Sequence, residues 1–131
     1  MEELFNLGIS ENTIENMLEF NPNLKDLSNI EIQRNIKLLE NIGCSKNDIL
    51  NIISSNTLYL FKSENDIINL IDYLKKIGFI SLSILFEANP YILNLENYEI
   101  ENYINNRKEK GEEIEDIIDD LDSNPYLFNE I

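Results

Sequence analysis

The stretch Leu39–Phe61, LENIGCSKNDILNIISSNTLYLF, decides the fold of this chain. It opens on the end of one helix, breaks at Gly43, restarts behind Ser45 and closes in a short apolar rung at Leu58–Phe61. Glycine suits such a break because the residue after a helix often needs a positive φ. A serine just beyond it offers its hydroxyl to the free N–H groups of the next helix. Ile49, Ile52 and Ile53 then recur at i, i+3 and i+4, one face of a helix.

The same sentence is written four times. The four glycines are Gly8, Gly43, Gly78 and Gly111, spaced by 35, 35 and 33 residues. Pro22, Thr57 and Pro125 each follow a glycine by 14 residues, and Pro90 follows Gly78 by 12. Punctuation at fixed phase with a period of this size is the signature of a helical repeat. Ser28, Ser63 and Glu96 each stand 15 residues before a glycine and mark the starts of long helices. Counted from those starts, the fourth, eighth and eleventh residues are Ile32, Ile36 and Leu39, then Ile67, Ile71 and Leu74. That is a buried helical stripe. In the last copy Ile100 and Ile104 keep it, but Arg107 replaces the leucine, and Lys110 stands where Ile42 and Ile77 stood. A terminal repeat is expected to lose part of its buried face in this way.

The short helices match as well. Ile14, Met17 and Leu18 open the series, Leu82, Leu85 and Phe86 fill the shorter third copy, and Ile114, Ile117, Ile118 and Leu121 the fourth. The rungs are Leu24 and Leu27; Leu58, Tyr59 and Leu60; Tyr91, Ile92 and Leu93; and Tyr126, Leu127 and Phe128. The expected fold is all-α: a right-handed or irregular helical-repeat solenoid of about 3.5 units in one domain, with units near 1–27, 28–62, 63–95 and 96–131. Each unit reads as long helix, glycine turn, short helix, Pro/Thr stop and a short 3-10 rung.

These residues resemble the mitochondrial transcription termination factor (mTERF) family. Its repeat is similar to LLENIGCSKNDILNIISSNTLYL and YLKKIGFISLSILFEANPYIL, and less completely to NLGISENTIENMLEFNPNL and KEKGEEIEDIIDDLDSNPYLF. The resemblance covers nearly the whole chain and implies a superhelical fold. It also implies binding of double-stranded nucleic acid on a basic concave face. At the positions where the family uses Arg and Lys, this chain mostly has Asn, Glu or Asp.

Charge points elsewhere. Ten bases stand against 25 acids, for a net −15. Affinity for nucleic acid comes largely from replacing counterions with Lys and Arg. The cations that cluster are few: Lys62, Lys75 and Lys76, and separately Arg107, Lys108 and Lys110. The acids are uneven, with 13 against 7 bases over residues 1–95 and 12 against 3 over residues 96–131. Their densest run is Glu112, Glu113, Glu115, Asp116, Asp119, Asp120 and Asp122. Ile114, Ile117, Ile118 and Leu121 are expected to face inward on that helix and the acids outward. Such a ridge is either a solvated face or a contact for a basic protein surface, its carboxylates imitating successive phosphates. Tyr98, Tyr103 and Tyr126 are candidate anchors beside it, or core.

Chemistry is largely excluded. The chain has no His, which removes Ser-His-Asp, Cys-His and His-metal sites. Each glycine stands alone, so no phosphate loop is written. Cys44 follows Gly43 at a helix start, yet its counterparts Ile9 and Phe79 are apolar, which favours a packing role. Asp120-Leu121-Asp122-Ser123-Asn124 begins like a calcium loop, but Pro125 and Ile131 occupy the places of its essential Gly and Glu. No cofactor or metal is expected, and no apolar run reaches membrane-spanning length. The N-terminus lacks a basic-then-apolar leader, the lone cysteine suits a reducing compartment, and the Asn/Ile/Lys/Glu-heavy composition suggests a bacterial or phage protein of the cytoplasm.

The sequence therefore predicts a non-catalytic binding module. The first expectation is an acidic protein-binding adaptor or inhibitor, with the acids from Glu112 to Asp122 as its contact. Such a partner carries a basic surface, as a nucleic-acid-binding enzyme does. The alternative is mTERF-like nucleic-acid binding through a local patch at Lys62, Lys75 and Lys76.

Overall fold

Four left-handed turns set the architecture. Gly8, Gly43, Gly78 and Gly111 have φ of 92°, 100°, 123° and 93°, and no other residue has a positive φ. The computed structural model describes residues 1–131. Two backbone hydrogen bonds close each turn. In the second copy Gly43 N–H donates to Glu40 at 3.0 Å and Cys44 N–H to Leu39 at 3.1 Å. The pairs Gly8→Phe5 and Ile9→Leu4, Gly78→Lys75 and Phe79→Leu74, and Gly111→Lys108 and Glu112→Arg107 repeat it. This is the Schellman arrangement, which satisfies carbonyls that a helix end leaves bare.

Helix starts follow from polar side chains. The Ser10 hydroxyl accepts from Thr13 N–H. Ser28 with Glu31 and Ser45 with Asp48 form reciprocal capping boxes. In the last copy Glu99 accepts from Glu96 N–H at 2.9 Å. Short helices end on a repeated asparagine: Asn21, Asn56, Asn89 and Asn124, with φ from −134° to −145° and ψ from 74° to 87°. A short 3-10 rung follows, with proline first in three copies. In the fourth case Thr57 takes its place and donates its hydroxyl to the Ile53 carbonyl at 3.3 Å.

The resulting order is α1 (Glu2–Asn6), α2 (Glu11–Phe20), first rung (Pro22–Asp26), α3 (Asn29–Asn41), α4 (Lys46–Ser55) and second rung (Thr57–Phe61). Then come α5 (Glu64–Ile77), α6 (Leu82–Ala88), third rung (Pro90–Asn94), α7 (Asn97–Glu109), α8 (Ile114–Ser123) and fourth rung (Pro125–Glu130). The protein is an all-α helical repeat. Helix α6 has seven residues where α2, α4 and α8 have ten, and the link from Gly78 to it is one residue longer, which together give the two-residue deficit of the third copy. The rungs are less uniformly apolar-facing than their composition suggests. Leu24, Tyr59, Leu60, Ile92, Leu93 and Phe128 are buried, while Leu58, Tyr91 and Tyr126 are exposed. A 3-10 helix turns every three residues, so three consecutive side chains point in three directions.

The chain divides into two compact units, Met1–Glu64 and Asn65–Ile131, each holding two copies. In the first, α1 packs on α3, and α3 packs on α4 and the second rung. Its core includes Leu4, Ile32, Leu39, Ile49, Ile52 and Ile53, all fully buried. Each such side chain contributes about 1.5–3 kcal/mol on leaving water. Asn35 sits among them with no exposed surface. Its amide donates to the carbonyls of Tyr59 at 3.1 Å, Leu60 at 3.2 Å and Lys62 at 3.0 Å. The Tyr59 hydroxyl returns a 2.6 Å bond to the Asn35 carbonyl. A buried polar residue is tolerated here because its amide hydrogens end on backbone carbonyls at the close of the rung.

In the second unit α7 packs on α8 and the third rung on the fourth. Phe79 and Phe128 meet with ring centroids 5.9 Å apart. The Asn89 amide donates to the Pro125 carbonyl at 2.9 Å and to Asn129 Oδ1 at 3.0 Å, tying one rung to the next. Asn97 likewise reaches the Asn69 carbonyl at 3.2 Å.

Replacing Asn35 by Leu, the residue at the matching position 70, removes these buried hydrogen bonds and is expected to cost about 1–3 kcal/mol in a urea titration. Burial, with a smaller contribution from Cys44, pushes the Tyr59 phenol well above its ordinary value. The folded chain thus keeps a proton that the unfolded chain releases above about pH 10. Tyr59's stabilisation is fully present below that pH and lost as pH rises beyond it. The urea midpoint of Tyr59→Phe should therefore trail wild type near neutrality, and the gap should close in alkali.

Candidate functional site

The last copy departs from the other three at its glycine turn. A Schellman turn normally brings an apolar residue before the glycine against one just after it. Those pairs are Leu4 with Ile9, Leu39 with Cys44 and Leu74 with Phe79, and all six residues are buried. In the fourth copy the pair is Arg107 and Glu112. Arg107 Nε donates to Glu112 Oε2 at 2.9 Å and Nη2 to Oε1 at 2.5 Å, a two-pronged ion pair. Nη1 reaches Asp120 Oδ2 at 2.8 Å and the Tyr103 hydroxyl at 3.1 Å. The guanidinium also lies over the Tyr103 ring, 5.6 Å from its centre. Tyr103 and Arg107 are one helical turn apart on α7, so the ring supports the cation from below. Hydrogen bonding to Glu112 raises the Arg107 pKa further, against the opposing effect of burial. The same bond holds the Glu112 carboxyl below the ordinary carboxylate range.

Two acids of the sequence-predicted ridge, Glu112 and Asp120, are therefore engaged by Arg107. Glu112 is half-buried rather than outward, because it closes the turn. Glu113, Glu115, Asp116, Asp119 and Asp122 are exposed, above the buried Ile117, Ile118 and Leu121. Of the tyrosines, Tyr98 and Tyr126 are exposed, whereas Tyr103 is half-buried and occupied by Arg107. Asp120 and Asp122 lie within helix α8, not in a loop.

The cations of the alternative patch fall in different settings. Lys75 and Lys76 close α5 in the second unit, exposed at a helix C-terminus that favours positive charge. Lys62 belongs to the first unit, is half-buried, and gives its carbonyl to Asn35 and to Arg34. Cys44 is buried in the turn, like Ile9 and Phe79 at its matching positions. It borders an open groove of about 480 Å³ whose polar lining includes Glu3, Gln33, Lys37, Glu40 and Lys46.

Residues 1–120 match the family model for mTERF. The chain belongs to the mTERF family. The match takes in all four glycine turns and stops inside α8. No curated protein and no solved structure matches the chain. Within this mTERF repeat, sequence reading identified Arg107 as a lost leucine but missed its partner. The available signal was that both members of one turn pair change from apolar to opposite charges together, five residues apart.

Glu112 depresses with Arg107 present, so its stabilising effect exists above the ordinary carboxylate pKa and is lost as pH falls through the lowered value. Carbon-detected NMR titration should find Glu112 below the ordinary carboxylate range, and Arg107→Gln should move it back up. Arg107→Leu alone is expected to lower Tm. Adding Glu112→Phe restores the pair found at Leu74 and Phe79, and Tm should recover or exceed wild type.

Proposed function

We propose that this mTERF-family chain is a non-catalytic helical-repeat module that binds nucleic acid through local cations, Lys75 and Lys76 at the end of α5. The observation that carries this reading is the family match over residues 1–120. Nothing in the electrostatics favours long-range attraction: the chain carries −15, and its clustered cations are few. Binding of this kind depends on short-range contacts and collapses as salt is added. A regular repeat suits such contacts because each copy offers helix ends and rung backbone at similar spacing.

A second reading has its own support. The outward face of α8 presents Glu115, Asp116, Asp119 and Asp122, with Glu113 just before its start, all exposed. On a helix, carboxylates one turn apart are about 5–6 Å from each other. A protein with a basic groove for nucleic acid would meet that face as it meets phosphates, and the chain would act as an adaptor or inhibitor. Glu112 and Asp120 contribute less to this surface, since Arg107 pairs with both and offsets one of their two charges.

Gel-shift titration with duplex DNA and duplex RNA separates the two. Under the first reading the chain shifts a duplex at about 50 mM salt, loses it by about 200 mM, and loses it again in Lys75→Gln/Lys76→Gln. Under the second, no shift occurs at either salt. A model basic nucleic-acid-binding protein is then retained by wild type and released by Glu113→Gln/Glu115→Gln/Asp116→Asn. A shift unaffected by the lysine changes would overturn the assignment of the cations.

A further inference from the structure

Within each unit the later copy covers the glycine turn of the earlier one, and the contact repeats. A Cβ placed on Gly8 would lie 3.6 Å from the Leu50 side chain, and one on Gly78 3.9 Å from that of Ile118. Leu50 and Ile118 hold the same phase, seven residues before Thr57 and Pro125. The residue after the turn is covered likewise: Phe79 meets Phe128 of the following rung. On Gly111 a Cβ would meet nothing within 4 Å.

The side chains around that open turn differ in kind from their counterparts. Asp120 stands five residues before Pro125, the place held by Met17, Ile52 and Leu85 in the other copies. Tyr103 stands seven after Glu96, the place of Asn35 and Leu70. Arg107 and Glu112 take the places of the apolar turn pairs. All these counterparts are buried. In the fourth copy the Arg107 side chain is 18% exposed, Glu112 37% and Asp120 48%. The stripe turned to the preceding copy is unchanged, with Ile100, Ile104, Ile117 and Leu121 buried. The exchange from apolar to charged is therefore confined to the side on which a further copy would stack.

A stacked copy would strip water from Arg107, Glu112 and Asp120 together. These groups already pair with one another and keep one uncompensated negative charge. An apolar side chain in the place of Leu50 or Ile118 offers them no hydrogen bond in return. The net −15 adds repulsion between any two chains.

We infer that the Tyr103–Arg107–Glu112–Asp120 cluster closes the fourth copy to stacking and keeps a second copy of this chain from docking on it. This role is independent of what the lysines at 75 and 76 or the outward acids of α8 meet.

Sedimentation velocity over a concentration series tests it on the full chain. Arg107→Leu/Glu112→Phe/Asp120→Leu installs the residues of the third copy, Leu74, Phe79 and Leu85. That variant should self-associate about ten-fold or more tightly than wild type, because an apolar face has replaced a charged one. Asn106 is exposed and shares a groove with Tyr103. Adding Asn106→Glu to the triple variant should return it to monomer. Arg107→Gln breaks the ion pairs but leaves both carboxylates, so it should stay monomeric even though it is less stable. Circular dichroism and urea midpoints establish that each variant is folded. Where the triple variant fails to fold, Arg107→Leu/Glu112→Phe carries the same test with the turn pair of the third copy. The inference is overturned if the folded apolar variant associates no more than wild type, or if its association ignores Asn106→Glu. It is also overturned if Arg107→Gln associates as strongly, or if wild type itself associates and Asn106→Glu disrupts it.

Discussion

The left-handed glycine turn is the constraint on which each copy depends. A helix can end in many ways, but only a residue without Cβ enters a φ near 90–120° at little cost. Once it does, two N–H groups swing back onto the helix and the residues on either side of the turn are pressed together. That pairing fixes where the next helix starts, and therefore which face it buries. The asparagine at the far end of the short helix performs the complementary task. It leaves helical geometry at one repeated φ and ψ, and hands the chain to a rung.

What varies among the copies is the chemistry at these fixed points, and function is sought there. One turn is held by opposite charges where three are held by apolar contact. One inter-rung step carries exposed Phe20, Leu58 and Phe61 where its counterpart is a hydrogen-bonded seam at Asn89, Pro125 and Asn129. One long helix carries a buried amide in place of leucine. Each change keeps the backbone and alters the surface or the core locally. This is how a repeat acquires specificity without giving up its architecture.

The architecture was legible because glycine, proline and the isoleucine stripe act through the backbone and through burial, and both leave fixed spacing in the sequence. The 3-10 rungs and the short third helix were readable for the same reason. Three things were not. The repeated asparagine at 21, 56, 89 and 124 hides in an asparagine-rich chain, where one more Asn carries no signal. Asn35 gives no sign in sequence of being buried, since its partners lie 24–27 residues on. The Arg107–Glu112 pair required knowing that the residues flanking a turn touch. Glu115, Asp116, Asp119 and Asp122 do lie exposed on α8, but the pairing of Glu112 and Asp120 depends on a side chain from α7 that spacing alone does not place. Family membership fixes the fold class.

The wiring of caps and turns bears on how the chain reaches its native state. Almost every backbone bond outside the helices joins residues three to five apart, and the side-chain latches reach only to an adjoining copy. Little loop entropy must be lost before such bonds reward it. A chain connected so locally belongs with the fast folders, on the microsecond to millisecond scale, and each pair of copies has the means to nucleate by itself.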